Sequence, residues 1–186
     1  SNPGELPSLE NLTKLVQRLG LTPETHVIVT STGKDASDFG AAARVYWTLK
    51  VLGLQNLSVL NGGLKAWQTE GFSLDTKAAS AKASTYTPSI NQNMIATRAE
   101  VASSVQSGKA QLIDARPTAF YEGSTRHTAA KVPGTLQGAV SVEHSTWFAP
   151  NSSLVVPNNE VKKLALASSV KSDQDVISFC NTGHWA

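Results

Sequence analysis

Two short apolar runs, His26-Val27-Ile28-Val29 and Val176-Ile177-Ser178-Phe179, lie 150 residues apart and lead into the same turn, Thr32-Gly33 and Thr182-Gly183. Runs this short, bounded by turn residues, read as buried strands of a parallel sheet. Laying Pro7 to Gly33 over Pro157 to Gly183 needs no gap, and Pro7, Glu10, Thr32 and Gly33 fall on Pro157, Glu160, Thr182 and Gly183. The shared order of helix, strand and Thr-Gly turn predicts two copies of one α/β unit. In that register Thr30 stands where the single cysteine, Cys180, stands in the other copy. One copy is then expected to be chemically silent and the other reactive.

The intervening chain alternates in the same way. Leu9, Leu12, Leu15, Val16 and Leu19 recur at helical spacing before Gly20, which predicts an amphipathic helix. After the first strand, Asp38 is the expected cap of a helix running to Leu52, with Phe39, Ala42, Tyr46, Leu49 and Leu52 on its apolar face. Leu57 to Leu60 reads as a strand, Asn61-Gly62-Gly63 as a sharp turn, and Leu64 to Glu70 as a short helix. Residues 76–93 are rich in Ala, Ser, Thr and Lys without apolar periodicity, and read as a linker between a first segment, 1–75, and a second, 94–186. In the second segment Thr97 and Glu100 fit a capping box. Strands are expected at Gln111 to Ala115 and Ala139 to Val142, and a helix at Val161 to Ala167 leads into the Cys180 strand.

The composition narrows the function classes. Hydrophobic residues make up 40% of 186, enough for a real core, and charged residues only 16% with net charge +2. Acids and bases are interspersed, so the clustered basic face that binds a phosphate backbone is not expected. No apolar stretch approaches the roughly 20 residues that span a bilayer. A soluble protein is expected, its compartment open between cytoplasm and periplasm. One cysteine and four scattered histidines give neither a disulfide nor zinc-ligand spacing, so no metal or other cofactor is expected.

Cys180 falls at the C-terminal end of its strand, the edge of an α/β sheet where ligands bind. Backbone N–H groups of a tight turn and the positive end of a following helix stabilise an anionic sulfur there. The same position also suits a small buried hydrophobe, since cysteine is among the most buried residue types.

Three further motifs accompany this loop. Leu60-Asn61-Gly62-Gly63-Leu64-Lys65-Ala66-Trp67, Ile113-Asp114-Ala115-Arg116 and Gly134-Thr135-Leu136-Gln137-Gly138-Ala139, with Cys180 to Trp185, resemble in order the motifs of the tandem-domain rhodaneses. These are sulfurtransferases that pass a sulfane sulfur through a cysteine persulfide. The resemblance implies an α/β fold of rhodanese-like three-layer domains with a mainly parallel central sheet, in two copies, both incomplete in this chain. It implies that 1–75 is the C-terminal part of an inactive domain and 94–186 the N-terminal part of the catalytic one, ending in the active-site loop. A companion polypeptide segment is expected to supply the remainder. Thr135 and Gln137 stand where the family usually has His and Pro.

The resemblance implies sulfur transfer from a donor such as thiosulfate to a thiophilic acceptor, cyanide or another thiol, with Cys180 as nucleophile. The backbone of Asn181, Thr182, Gly183, His184 and Trp185 would hold the terminal sulfur's charge. Thr182 offers a hydroxyl or ordinary turn chemistry, and His184 either attracts an anionic donor or is simply exposed. Trp185 is expected to pack beside the pocket. Arg116 either binds substrate or ties loops together through its planar fork. Phe120 stands where many family members carry a second, substrate-binding arginine. A persulfide carrier or binding module serving a partner protein is therefore an alternative. A cysteine phosphatase needs an arginine six residues after the cysteine, and that position is Ala186.

Overall fold

The computed structural model describes residues 4–186, so the first three residues of the expected first segment lie outside it. The chain divides into two compact units, Ser1–Ile95 and Ala96–Ala186.

In the first unit, helix α1, Leu9–Arg18, is capped by the Ser8 hydroxyl, which accepts from the Asn11 N–H. Only Leu12 and Val16 of its apolar stripe are buried, while Leu9, Leu15 and Leu19 stay partly exposed. Strand β1, Val27–Val29, leads to helix α2, Ala36–Val51, and then to β2, Leu57–Val59. β1 and β2 pair in parallel, Val27 opposite Leu57 and Val29 opposite Val59. β1 was expected to be a buried strand of a parallel sheet; it is parallel, yet among the described residues β2 is its only partner and Ile28 is exposed. The core joins Leu12 and Val16 to Val29, Ala42, Leu49, Leu52 and Leu54. Helix α3, Gly63–Thr69, follows a turn with both Gly62 and Gly63 at positive φ.

One cap differs from the sequence expectation. The side chain of Asp35, not Asp38, accepts from the Asp38 N–H and starts α2 three residues earlier. Asp38 lies inside the first turn because its carboxylate has other partners, described below.

The stretch expected as linker contains no helix or strand until a short 3-10 turn, Gln92–Met94, and its later part is strapped to the first unit. The Tyr86 hydroxyl donates to the Leu52 carbonyl at 2.9 Å, the Ser84 hydroxyl to that of Leu21 at 2.7 Å, and Pro88 is buried. The Leu52 carbonyl is at the C-cap of α2, and the Ser84 N–H likewise takes the Gln17 carbonyl in the last turn of α1 at 2.9 Å, two positions that helix geometry leaves unpaired.

The second unit opens on helix α4, Arg98–Ser107, with the Thr97–Glu100 capping box complete and Gly108 closing it in the left-handed conformation. Strand β3, Ala110–Asp114, is central in a sheet of order β4-β3-β5, where β4 is Val140–Ser141 and β5 is Asp175–Phe179. Both neighbours run parallel to it. The short helix α5, Thr118–Tyr121, leaves the end of β3, and α6, Asn158–Ala167, precedes β5. β5 was expected to be buried. It lies at the sheet's edge instead, and Val176 is 45% exposed. Leu112, Ile113, Ala115, Ala139 and Val142 are the buried apolar residues of the unit. Among the described residues no helix is long and apolar enough to cross a membrane.

Candidate active site

Parallel pairing brings the C-terminal ends of β3, β4 and β5 to one edge of the second unit. The Ala115 N–H donates to the Phe179 carbonyl at 3.0 Å, and the Val142 and His144 N–H groups donate to Asp114 and Ala115 carbonyls, each at 3.0 Å. These bonds fasten the three chain segments just where they leave the sheet. Cys180 follows β5 directly and is half-buried.

Its thiol has a defined partner. The Gly183 N–H donates to the Cys180 Sγ at 2.9 Å, and Gly183 has φ +76°, the left-handed region that favours glycine. The turn thus folds one backbone donor back onto the sulfur. Thr182 Oγ1 lies 3.2 Å from His184 Nδ1, a contact internal to the loop, with the His184 ring exposed.

Asp114 anchors the neighbouring segment. It is fully buried, and the Arg116 guanidinium donates to it through Nε at 2.9 Å and Nη2 at 2.6 Å. The Arg116 N–H adds a bond at 3.0 Å, and the Thr135 hydroxyl one at 2.7 Å. Desolvation would raise the Asp114 carboxyl, but hydrogen bonds from the Arg116 side chain, Thr135 and the Arg116 backbone, with the guanidinium charge, hold it below its ordinary value. A carboxyl depressed in the folded state stabilises the fold fully above its unfolded pKa, about 4. That contribution is lost as pH falls through the folded value. Asp114→Asn is therefore expected to flatten the fall of the urea midpoint below that range, measured from pH 7 to pH 2.

Arg116 itself is 8% exposed. Its Nη2 also donates to the Gly134 carbonyl at 2.8 Å, and Nη1 reaches Asn181 Oδ1 at 3.5 Å. The guanidinium carbon sits 5.8 Å from the Phe120 ring and 5.9 Å from the Phe179 ring. The structure thus links two residues singled out from the sequence, Arg116 and Asn181, through a fork otherwise bound to Asp114 and Gly134. Thr135 ties the Gly134–Ala139 segment to Asp114 through its hydroxyl.

Trp185 turns to a residue that sequence reasoning passed over. Its ring stacks on His144 with centroids 4.6 Å apart and planes 8° from parallel. His144 begins a 3-10 turn, His144–Trp147, after β4. The sequence placed it only two residues past an expected strand, Ala139 to Val142, with nothing to bring it beside Cys180. Among the described residues no three His, Cys, Asp or Glu side chains gather as a metal ion would require.

The turn of the first unit that the 150-residue register lays over Thr182–Gly183 holds a carboxylate. The Asp38 carboxylate accepts from the Gly33 N–H at 2.8 Å, the Lys34 N–H at 3.2 Å, and the Thr32 hydroxyl and N–H at 3.0 and 3.4 Å. Desolvation opposes ionisation there, but these bonds, with the Ser31 side chain, outweigh it and keep the carboxyl below its ordinary value.

No family model matches the chain. It is 28% identical over 182 residues to thiosulfate sulfurtransferase of Rattus norvegicus, covering 96% of this chain and 60% of that protein. The 3-mercaptopyruvate sulfurtransferase of Homo sapiens is 25% identical over 181 residues, covering 96% and 59%. The chain therefore spans about three fifths of the length of these relatives. Among solved structures, SseA from Escherichia coli, described under the rhodanese fold of 3-mercaptopyruvate sulfotransferases, superposes with a TM-score of 0.81 at 25% identity. That match covers 98% of this chain and 66% of SseA. Across 96% of its length the chain is thus homologous to thiosulfate and 3-mercaptopyruvate sulfurtransferases, and its α/β architecture with parallel sheets is the rhodanese fold.

Proposed function

We propose that the chain accepts a sulfane sulfur on Cys180 and passes it to a thiophilic acceptor. The observation that carries this reading is the Gly183 N–H aimed at the Cys180 Sγ from a turn at the sheet's C-terminal edge. With thiosulfate, the Cys180 thiolate would attack the outer sulfur, the S–S bond of the donor would break, and sulfite would leave with the bonding pair. The persulfide terminus carries the negative charge, which the loop N–H groups offset. Cyanide would then attack that outer sulfur, leaving as thiocyanate and returning the thiolate.

Arg116 supports a second reading. Its fork is bound to Asp114 and Gly134, and Phe120 lies beside it rather than a second arginine. This leaves less cationic grip for a small dianion and favours a carrier that takes its sulfur from a partner protein. We further propose that residues 1–75 form part of an inactive rhodanese-like domain, 76–93 the connection, and 94–186 part of the catalytic domain. The exposed outer side of β5 suits pairing with a further polypeptide segment.

Intact mass before and after thiosulfate, then after cyanide, tests the reading. A gain of about 32 Da that cyanide removes, and that Cys180→Ser never shows, is the expected covalent intermediate. No gain from thiosulfate but a gain from a persulfidated protein donor selects the carrier. No gain from thiosulfate, 3-mercaptopyruvate or a protein donor overturns sulfur transfer.

A further inference from the structure

We infer that His144 is a positioning residue for the Cys180 loop, acting through its stack with Trp185. The inference rests on Cys180 being the sulfur-accepting residue. The loop is held at its start by the Phe179 carbonyl and at Asn181 by Arg116. Gly183, whose N–H must point at the sulfur, lies between those anchors and Trp185. The direction of that N–H therefore depends on where Trp185 is held. His144 is suited to hold it. Its backbone N–H is bonded to the Ala115 carbonyl, two residues after the buried Val142, so the ring stands on a fixed strand end. Rings with centroids 4.6 Å apart and planes 8° from parallel are in offset stacked contact, one of the arrangements that aromatic rings prefer.

Two readouts that need no sulfur donor separate this inference from the proposed activity. The first is Trp185 emission in the full chain, obtained as the difference between spectra with Trp185 and with Trp185→Phe, which removes the background of Trp47, Trp67 and Trp147. The second is the rate of Cys180 alkylation by iodoacetamide. His144→Ala is expected to shift the emission and to change the alkylation rate by about three- to tenfold, the equivalent of one aromatic pair. His144→Phe, which keeps a stackable ring, is expected to restore both. Trp185→Ala should change alkylation by the same factor, and the double variant should add nothing to either single change. Should His144→Ala fail to fold, Trp185→Ala with His144→Phe decides the matter in the same terms. Alkylation unchanged in Trp185→Ala, failure of the Phe variant to restore it, or additive effects would overturn the inference. Failure of persulfide formation with the stack effects intact overturns the proposed activity alone.

Discussion

Arg116→Ala is expected to destabilise the second unit by about 3–5 kcal/mol, the range found when one member of a buried ion pair is removed. Asp114 is fully buried, and the Arg116 side chain makes two of its hydrogen bonds. Without the guanidinium the carboxylate keeps the Thr135 hydroxyl and a backbone N–H but loses its counter-charge. It must then either remain as an uncompensated buried charge or take up a proton. The same truncation frees the Gly134 carbonyl and releases Asn181, so the loop that carries Cys180 loosens as well. Arg116→Lys should recover part of the loss, because an ammonium restores the charge but not the planar fork. Urea unfolding followed by circular dichroism measures both variants. A loss below about 1 kcal/mol for Arg116→Ala, the scale of an exposed pair, would mean that this pair does not pin the edge of the sheet.

A large effect is also expected in the first unit from a single methyl group. Gly63 has φ +62°, and a Cβ there would lie 2.6 Å from the Ser31 carbonyl oxygen and 2.7 Å from the Gly33 nitrogen. Gly63→Ala therefore adds a left-handed penalty of about 1–2 kcal/mol to an overpacking cost of about 1–3 kcal/mol. The neighbour cannot yield cheaply, because both clashing atoms are backbone. Gly71 is the control. It has a similar φ, +83°, with nothing within 4 Å of the added Cβ. Gly71→Ala should show the conformational penalty alone. The difference between the two urea midpoints isolates the clash, and equal midpoints would mean that the turns of Ser31–Gly33 and Gly62–Gly63 are not in close contact.

The elements legible in the sequence were those set by local chemistry. Thr97 and Glu100 announce a capping box because both partners lie within one helical turn, and the structure contains it. The strands before Thr30 and Cys180 could be read because an apolar run stops abruptly at turn residues. What was not legible depended on neighbours distant in the sequence. Asp38 has the residue type of a cap, but the turn at Thr32–Lys34 claims its carboxylate, and Asp35 takes the capping role. Val176 is apolar enough to be buried, yet β5 pairs only with β3 among the described residues and lies at the sheet's edge. Within the site, Cys180, Gly183 and Arg116 were legible as residue types in motifs. His144 was not, because only parallel pairing brings the end of β4 beside the Cys180 loop.

The carboxylate held by the first unit's turn also bears on how this chain can change over generations. In the register that pairs Thr30 with Cys180, a Thr30→Cys mutation would deliver a thiol to a turn whose Gly33 and Lys34 N–H groups already face Asp38. Losing Asp38 first would leave those donors without an anion beside a threonine that has no use for them. Neither step is rewarded alone, and the second also gives up bonds that hold the turn. On the proposed role of Cys180, a second such centre in the first unit lies across an epistatic gap, and random drift there has little chance of producing one.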